Sequence, residues 1–264
     1  LGNFMGLIHN EHMKIYRRLR TWIMLGLVVA LPIVLGIVVA VNTPSSKPIS
    51  AWDIASELNI IYFLVSIFSV IIAADMVSSE FTWGTVKLLL IRPWSRAKIL
   101  LSKFIVVLLF AISMSVVFVV TNLATSFSLF PNLPIEVVFG GTESGQLLLQ
   151  VFYKFVDLLV ITIFSFMLST VFRTSGLAIG LSMFLLVAGN ILSAIFSPVK
   201  YDWAKYLLFN NMDLSKYEYM KSAVTNITTT TGMSLGFSVT ILLVYVVAFL
   251  VISWVVFMKR DVAA

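Results

Sequence analysis

Long uncharged apolar runs alternate with short polar segments along this chain of 264 residues. A helix that crosses a bilayer needs about 20 mostly apolar residues, and six stretches meet that requirement. The first, 22–41, ends at Asn42-Thr43-Pro44, a helix stop. The second, 58–75, is closed by Asp75. The third, 104–127, precedes the helix breakers Pro131 and Pro134. The fourth, 147–172, carries Lys154 and Asp157 inside it. The fifth, 176–197, is stopped by Pro198, and the sixth covers 235–258. The pattern predicts an all-α integral membrane protein: one transmembrane domain with six transmembrane helices.

Two polar segments are patterned rather than slack. In 6–21, Ile8, Ile15 and Leu19 recur at helical spacing beside Lys14, Arg17 and Arg18, which suits an amphipathic N-terminal helix lying at the membrane interface. In 76–98, Ser79 is placed to cap a short helix with Glu80 in its first turn, at the positive end of the helix dipole. Val86, Leu89 and Leu90 give that helix an apolar side, and Arg92-Pro93 ends it. Ser95 then caps the next helix, with Arg96, Lys98 and Lys103 at the membrane boundary.

Composition narrows the class. Apolar residues make up 60% and charged residues 11%, against roughly 45–50% and about 25% in soluble domains. Those values exclude a soluble enzyme, a disordered tail and a nucleic-acid-binding domain, and the strand alternation of a membrane barrel is missing. With no cysteine there is neither a disulfide framework nor a thiolate metal site. The net charge of +6 reads as orientation. With the N-terminus inside, twelve of the eighteen Lys and Arg fall on the cytoplasmic side and five outside, so both termini are expected to be cytoplasmic. The opening residues lack the layout of a signal peptide, so the first span is expected to be retained.

The polar residues within spans are few. Lys154 and Asp157, three apart on one helical face, are either a pathway or gate element or a snorkelling, mutually paired couple. Asn122 and Asn190 are further candidates for a pathway, with interhelical packing as the alternative. His9, Glu11 and His12 match no metal-ligand spacing, and no metal site is expected. Gly176 and Gly180, and Gly232 and Gly236, stand four apart and would allow close helix approach. In the long segment 198–234, expected outside, Asp202 is placed to cap a helix through Trp203, Tyr206, Leu207 and Phe209.

The ordered set Glu80, Gly84-Thr85, Leu88-Leu89, Pro93-x-Ser95-Arg96 and Lys103, between the second and third spans, resembles the signature of the permease subunits of type-2 ABC exporters. Asn10-Glu11-x-x-Lys14 ahead of a basic stretch is similar to the same permeases. Trp83 and Trp94 are bulkier than the pattern leads one to expect. The resemblance implies a cytoplasmic coupling helix seated on a separate ABC ATP-binding subunit, two copies of which would serve two permease subunits, identical or related. It implies ATPase-coupling roles for Glu80, Phe81, Gly84, Thr85, Lys87, Arg92, Pro93, Ser95 and Arg96, and secondary cytoplasmic contacts at Glu11, Lys14 and Arg173. No Gly is followed by Lys, so a phosphate loop is absent and ATP and Mg would be bound by the partner. The expected function is export of a hydrophobic or amphipathic substrate (a peptide, a peptide antibiotic or a lipid-like molecule) across a bacterial plasma membrane. The competing classes are an ion-coupled secondary transporter and a membrane-embedded enzyme.

Overall fold

The computed structural model describes residues 4–44, 49–84, 94–133, 143–217 and 233–259. Helix α1 (Phe4–Tyr16) is followed by α2 (Leu19–Asn42). Next, α3 (Ala51–Leu58) runs through a 3₁₀ turn at Asn59–Ile61 into α4 (Tyr62–Thr82). Then come α5 (Arg96–Leu129), α6 (Glu143–Val171), α7 (Ser175–Ile195), the short α8 (Leu208–Met212) and α9 (Leu235–Lys259). The described residues hold six helical rods long and apolar enough to cross a membrane: α2, α3–α4, α5, α6, α7 and α9. The chain is a multi-pass membrane protein.

Each of the six predominantly apolar runs overlaps one of these rods, and the differences lie at the ends. The second span extends well past both expected bounds, from Ala51 to Thr82, with Asp75 inside it at 7% exposure. Ser79 therefore caps nothing: it lies in the last turns of α4, and Glu80 belongs to the end of that span rather than to the start of a separate helix. A carboxylate is tolerated there because basic side chains from other elements meet it. Ser95 does cap α5, its Oγ accepting from the backbone N–H of Lys98. With 34 residues, α5 is about 51 Å long, and it stops one residue short of Pro131.

The central element is α4, which packs against α5, α6 and α7. In its span 61% of the apolar stretch is buried, against 11% for α7. Helices α1 and α2 lie on α5, and α9 lies on α6 and α8. Fully buried Phe110, Phe118 and Phe166 fill the space between α4, α5 and α6. The intimate glycine contact is at Gly36, where a Cβ would come within 2.5 Å of Thr125 on α5. Around Gly176, Gly180 and Gly236 such an atom would meet nothing within 4 Å, so these glycines bring no helices together inside the chain; Gly232 lies outside the described residues. At the end away from α1, α3 is tied to the tail of α5: Ser50 Oγ donates to the Leu133 carbonyl (2.6 Å) and Trp52 Nε1 to Asn132 Oδ1 (2.8 Å).

Candidate functional site

One end of the bundle gathers α1, the start of α2, the end of α4, the start of α5, the α6–α7 turn and the end of α9. Most of its charge is basic. Helix α1 buries Leu7, Glu11 and Ile15 at intervals of four, so the inward line has a carboxylate at its middle, while Leu19 is 75% exposed. The segment is thus docked on protein, chiefly α5; of its expected apolar face, Ile15 is buried and Ile8 packs against the core, while Leu19 begins α2 and faces outward. Opposite Glu11 stands Lys103, counted in the sequence as a boundary lysine but only 1% exposed.

Lys103 Nζ reaches Glu11 Oε2 at 2.8 Å, Glu80 Oε1 at 2.6 Å and the Met76 carbonyl at 3.4 Å. An ammonium has three donors, and all three are used. Lys14 Nζ closes the ring from outside, 2.6 Å from Glu11 Oε1 and 3.3 Å from Glu80 Oε1. Two carboxylates and two ammoniums thus join α1, α4 and α5. Burial pushes the Glu11 carboxyl up, but Lys103 and Lys14 outweigh it and hold its pKa below the ordinary value. One turn deeper, Asp75 Oδ2 accepts from Arg18 Nη1 at 2.9 Å and also from Arg20. These arginines fix the start of α2 to α4.

The same end is stitched to the remaining helices. Thr82 Oγ1 contacts the Arg173 carbonyl at 3.3 Å and accepts from the Ser175 N–H at 3.2 Å, holding the α6–α7 turn against α4. The Arg173 side chain itself is exposed. Ser169 Oγ accepts from the N–H groups of Val77 and Ser78 at 2.9 and 3.0 Å, and Arg96 Nη1 donates to the Met258 carbonyl at the end of α9. Phe81 packs on the core. After exposed Trp83, Gly84 turns the chain with φ +67°, a left-handed conformation that suits glycine. Thr85, Lys87, Arg92 and Pro93, with the expected coupling helix, lie outside the described residues. Of the implied coupling residues, Glu80 is brought into the ion cluster, and Ser95 and Arg96 stand at the mouth of the segment.

The far end differs. A cavity of about 290 Å³ opens between α4, α6, α7 and α8. Lys154, Asp157 and Asn190 all line it, together with Asp213, which sequence reasoning did not single out. Among the described residues no ion pair joins Lys154 to Asp157, so the expected mutual pairing is not formed. Spacing of three places side chains on one face but does not oblige their heads to meet. Asp157 Oδ1 is shielded from solvent without a hydrogen-bond partner. Asp213 Oδ1 accepts from Ser215, and the Lys216 ammonium donates to the Asn210 carbonyl. Burial lowers the Lys216 pKa against the opposing pull of Asp213 and Asp157.

Asn122 is no part of this cavity. Its Nδ2 donates to the Ala55 carbonyl at 2.9 Å and lies 3.5 Å from Asn59 Oδ1, while Asn59 reaches Gln150 of α6. It is an interhelical clasp, because every partner it finds is structural. Asp202 caps nothing either. A 3₁₀ turn at Asp202–Tyr206 has no side-chain cap, and extended Leu207 separates it from α8.

Comparison with known proteins adds a family. The family described as "Protein of unknown function (DUF2705)" matches residues 22–263. The chain is 37% identical to "Uncharacterized protein YhcI" of Bacillus subtilis (strain 168) over 233 residues, 84% of this chain and 72% of the relative. It is 30% identical to "Uncharacterized membrane protein YdbK" of the same organism over 207 residues, 75% of this chain and 78% of the relative.

Proposed function

This chain belongs to the DUF2705 family, and from that starting point we propose that it is the membrane-spanning permease subunit of an ATP-driven ABC exporter. The observation that carries the reading is a convergence. Glu80 and Lys103 of the exporter-like signature, and Glu11 and Lys14 of the N-terminal motif, form one ion cluster. That cluster lies between the two helices, α4 and α5, that lead into and out of segment 85–93. A linker that leaves one clamped helix and enters another is suited to pass a push from a partner into the bundle.

In this reading the basic end is cytoplasmic, by the excess of Lys and Arg there. A separate subunit binds ATP and Mg, and its closure on nucleotide bears on segment 85–93. The work available is the difference in ATP affinity between the closed and open partner, since a ligand shifts an equilibrium only by its differential binding. Two permease copies and two ATP-binding subunits complete the exporter in the bacterial plasma membrane. Scarce charge in the spans favours a hydrophobic or amphipathic cargo such as a peptide or lipid-like molecule.

The test is co-expression with a candidate ATP-binding subunit, then affinity co-purification and ATPase assays in proteoliposomes. Lys87→Glu and Arg92→Glu should each reduce co-purification and coupled ATPase at least fivefold while the chain inserts and purifies normally. Unchanged capture and unchanged ATPase with both variants overturns the proposal.

A further inference from the structure

The far-end cavity is lined by Asp157, whose Oδ1 has no hydrogen-bond donor among the described residues and essentially no contact with solvent. The donors of the surrounding elements are engaged elsewhere or stand apart. Tyr62 Oη shares its hydrogen bond with Ser115 Oγ at 2.8 Å. Lys154, on the same wall, forms no ion pair with it. Lys216 is engaged by the Asn210 carbonyl. A buried, unpaired acceptor of this kind is costly, so a group that supplies a positively charged donor gains more here than in water.

The walls are matched to such a group. Tyr62, Phe63, Tyr153 and Phe209 line the cavity, and ring faces attract cations. Among the described residues the lining carries two carboxylates, Asp157 and Asp213, and the ammonium of Lys154, while the Lys216 ammonium beside it is held by the Asn210 carbonyl. Gly189 leaves the α7 wall without a side chain; a Cβ there would come no closer than 3.8 Å to Phe209. At about 290 Å³ the space falls at the lower end of ligand pockets, about 300–1,000 Å³. It holds one head group or side chain, not a whole peptide.

We propose that this cavity binds an organic cation of the arylalkyl- or alkylammonium class, its ammonium on the accessible side of the Asp157 carboxylate and its apolar part against the aromatic walls. The site is internal to one copy of the chain. Its occupancy needs neither an ATPase nor a second subunit, so its failure leaves the exporter reading untouched, and the reverse also holds.

The experiment uses the full chain in phosphatidylcholine nanodiscs, titrated calorimetrically with 2-phenylethylammonium, its neutral isostere 2-phenylethanol and the anion 3-phenylpropanoate. The ammonium should bind saturably and at least tenfold more tightly than the alcohol or the anion. Asp157→Asn should weaken it at least tenfold. Gly189→Leu, which fills the cavity and keeps the carboxylate, should do the same, and it decides the matter if Asp157→Asn does not fold. Equal binding of alcohol and ammonium, preference for the anion, or unchanged ammonium affinity in a folded variant overturns the proposal.

Discussion

The two charged ends of this bundle are built on opposite plans. At the basic end each buried charge meets its complement from another helix: Lys103 spends all three donors, and Glu11, Glu80 and Asp75 each accept from a basic side chain. At the far end the buried carboxylate oxygen of Asp157 goes unanswered although Lys154 is one helical turn away. Paired charges brace helices. An unpaired charge beside a cavity leaves interaction energy available to something that arrives. The contrast assigns stability to one end and recognition to the other.

The largest expected effect breaks the braced end. Lys103→Met removes the buried cation shared by Glu11 and Glu80 and leaves them only the half-exposed Lys14, and loss of one partner from a buried pair costs about 3–5 kcal/mol. Thermal unfolding in detergent should show the drop, and limited proteolysis should cut between α1 and α2 first. A variant as stable as the parent would remove the clamp from the account.

Acidification is a gentler version of the same break. The Glu11 carboxyl is held below its ordinary value of 4.5 by Lys103 and Lys14, against burial. Its contribution to stability is therefore complete above that ordinary value, and it is lost as pH falls through the lower, folded-state value. The protection factors of the α1 amides, exchange referred to the intrinsic rate at each pH, should be level above the ordinary carboxyl value and fall as the pH drops below it. In Glu11→Gln the acid-dependent fall should shrink, because the titrating group is gone.

The smallest effect belongs to the far end and points the other way. Asp157→Asn changes a carboxyl group whose Oδ1 has no partner among the described residues, so stability should stay within about 0.5 kcal/mol of the parent or rise. Equal and large losses for Asp157→Asn and Lys103→Met, measured side by side, would erase the distinction between the ends.

The spans were legible because lipid permits few charges, and predominantly apolar runs marked them. What misled was treating Asp75 as a boundary. Asp75 read as the end of a span and Glu80 as the start of a separate helix, yet α4 runs through both, where Arg18, Arg20, Lys14 and Lys103 arrive from positions distant in the chain. Partners so far apart leave no local pattern. For the same reason Lys103 passed as one more boundary lysine, and Glu11 was expected as a cytoplasmic contact rather than as the buried partner of Lys103. The Ser95 cap, by contrast, depends only on neighbours and was readable directly. The cavity pair Lys154 and Asp157 was visible by spacing, but Asp213 was not, since it reaches the cavity from beyond α8.

Helix α5 is a rod of about 51 Å in a bilayer whose hydrocarbon is about 30 Å thick. It must tilt or project. Because Lys103 anchors its first turns to α1 and α4, any part projecting at that end is held as a rigid stub. Bilayer thickness then becomes a mechanical variable. A thinner membrane lengthens the stub, and a thicker one stands the rod more upright, so the reach of this end beyond the lipid follows from the lipid itself.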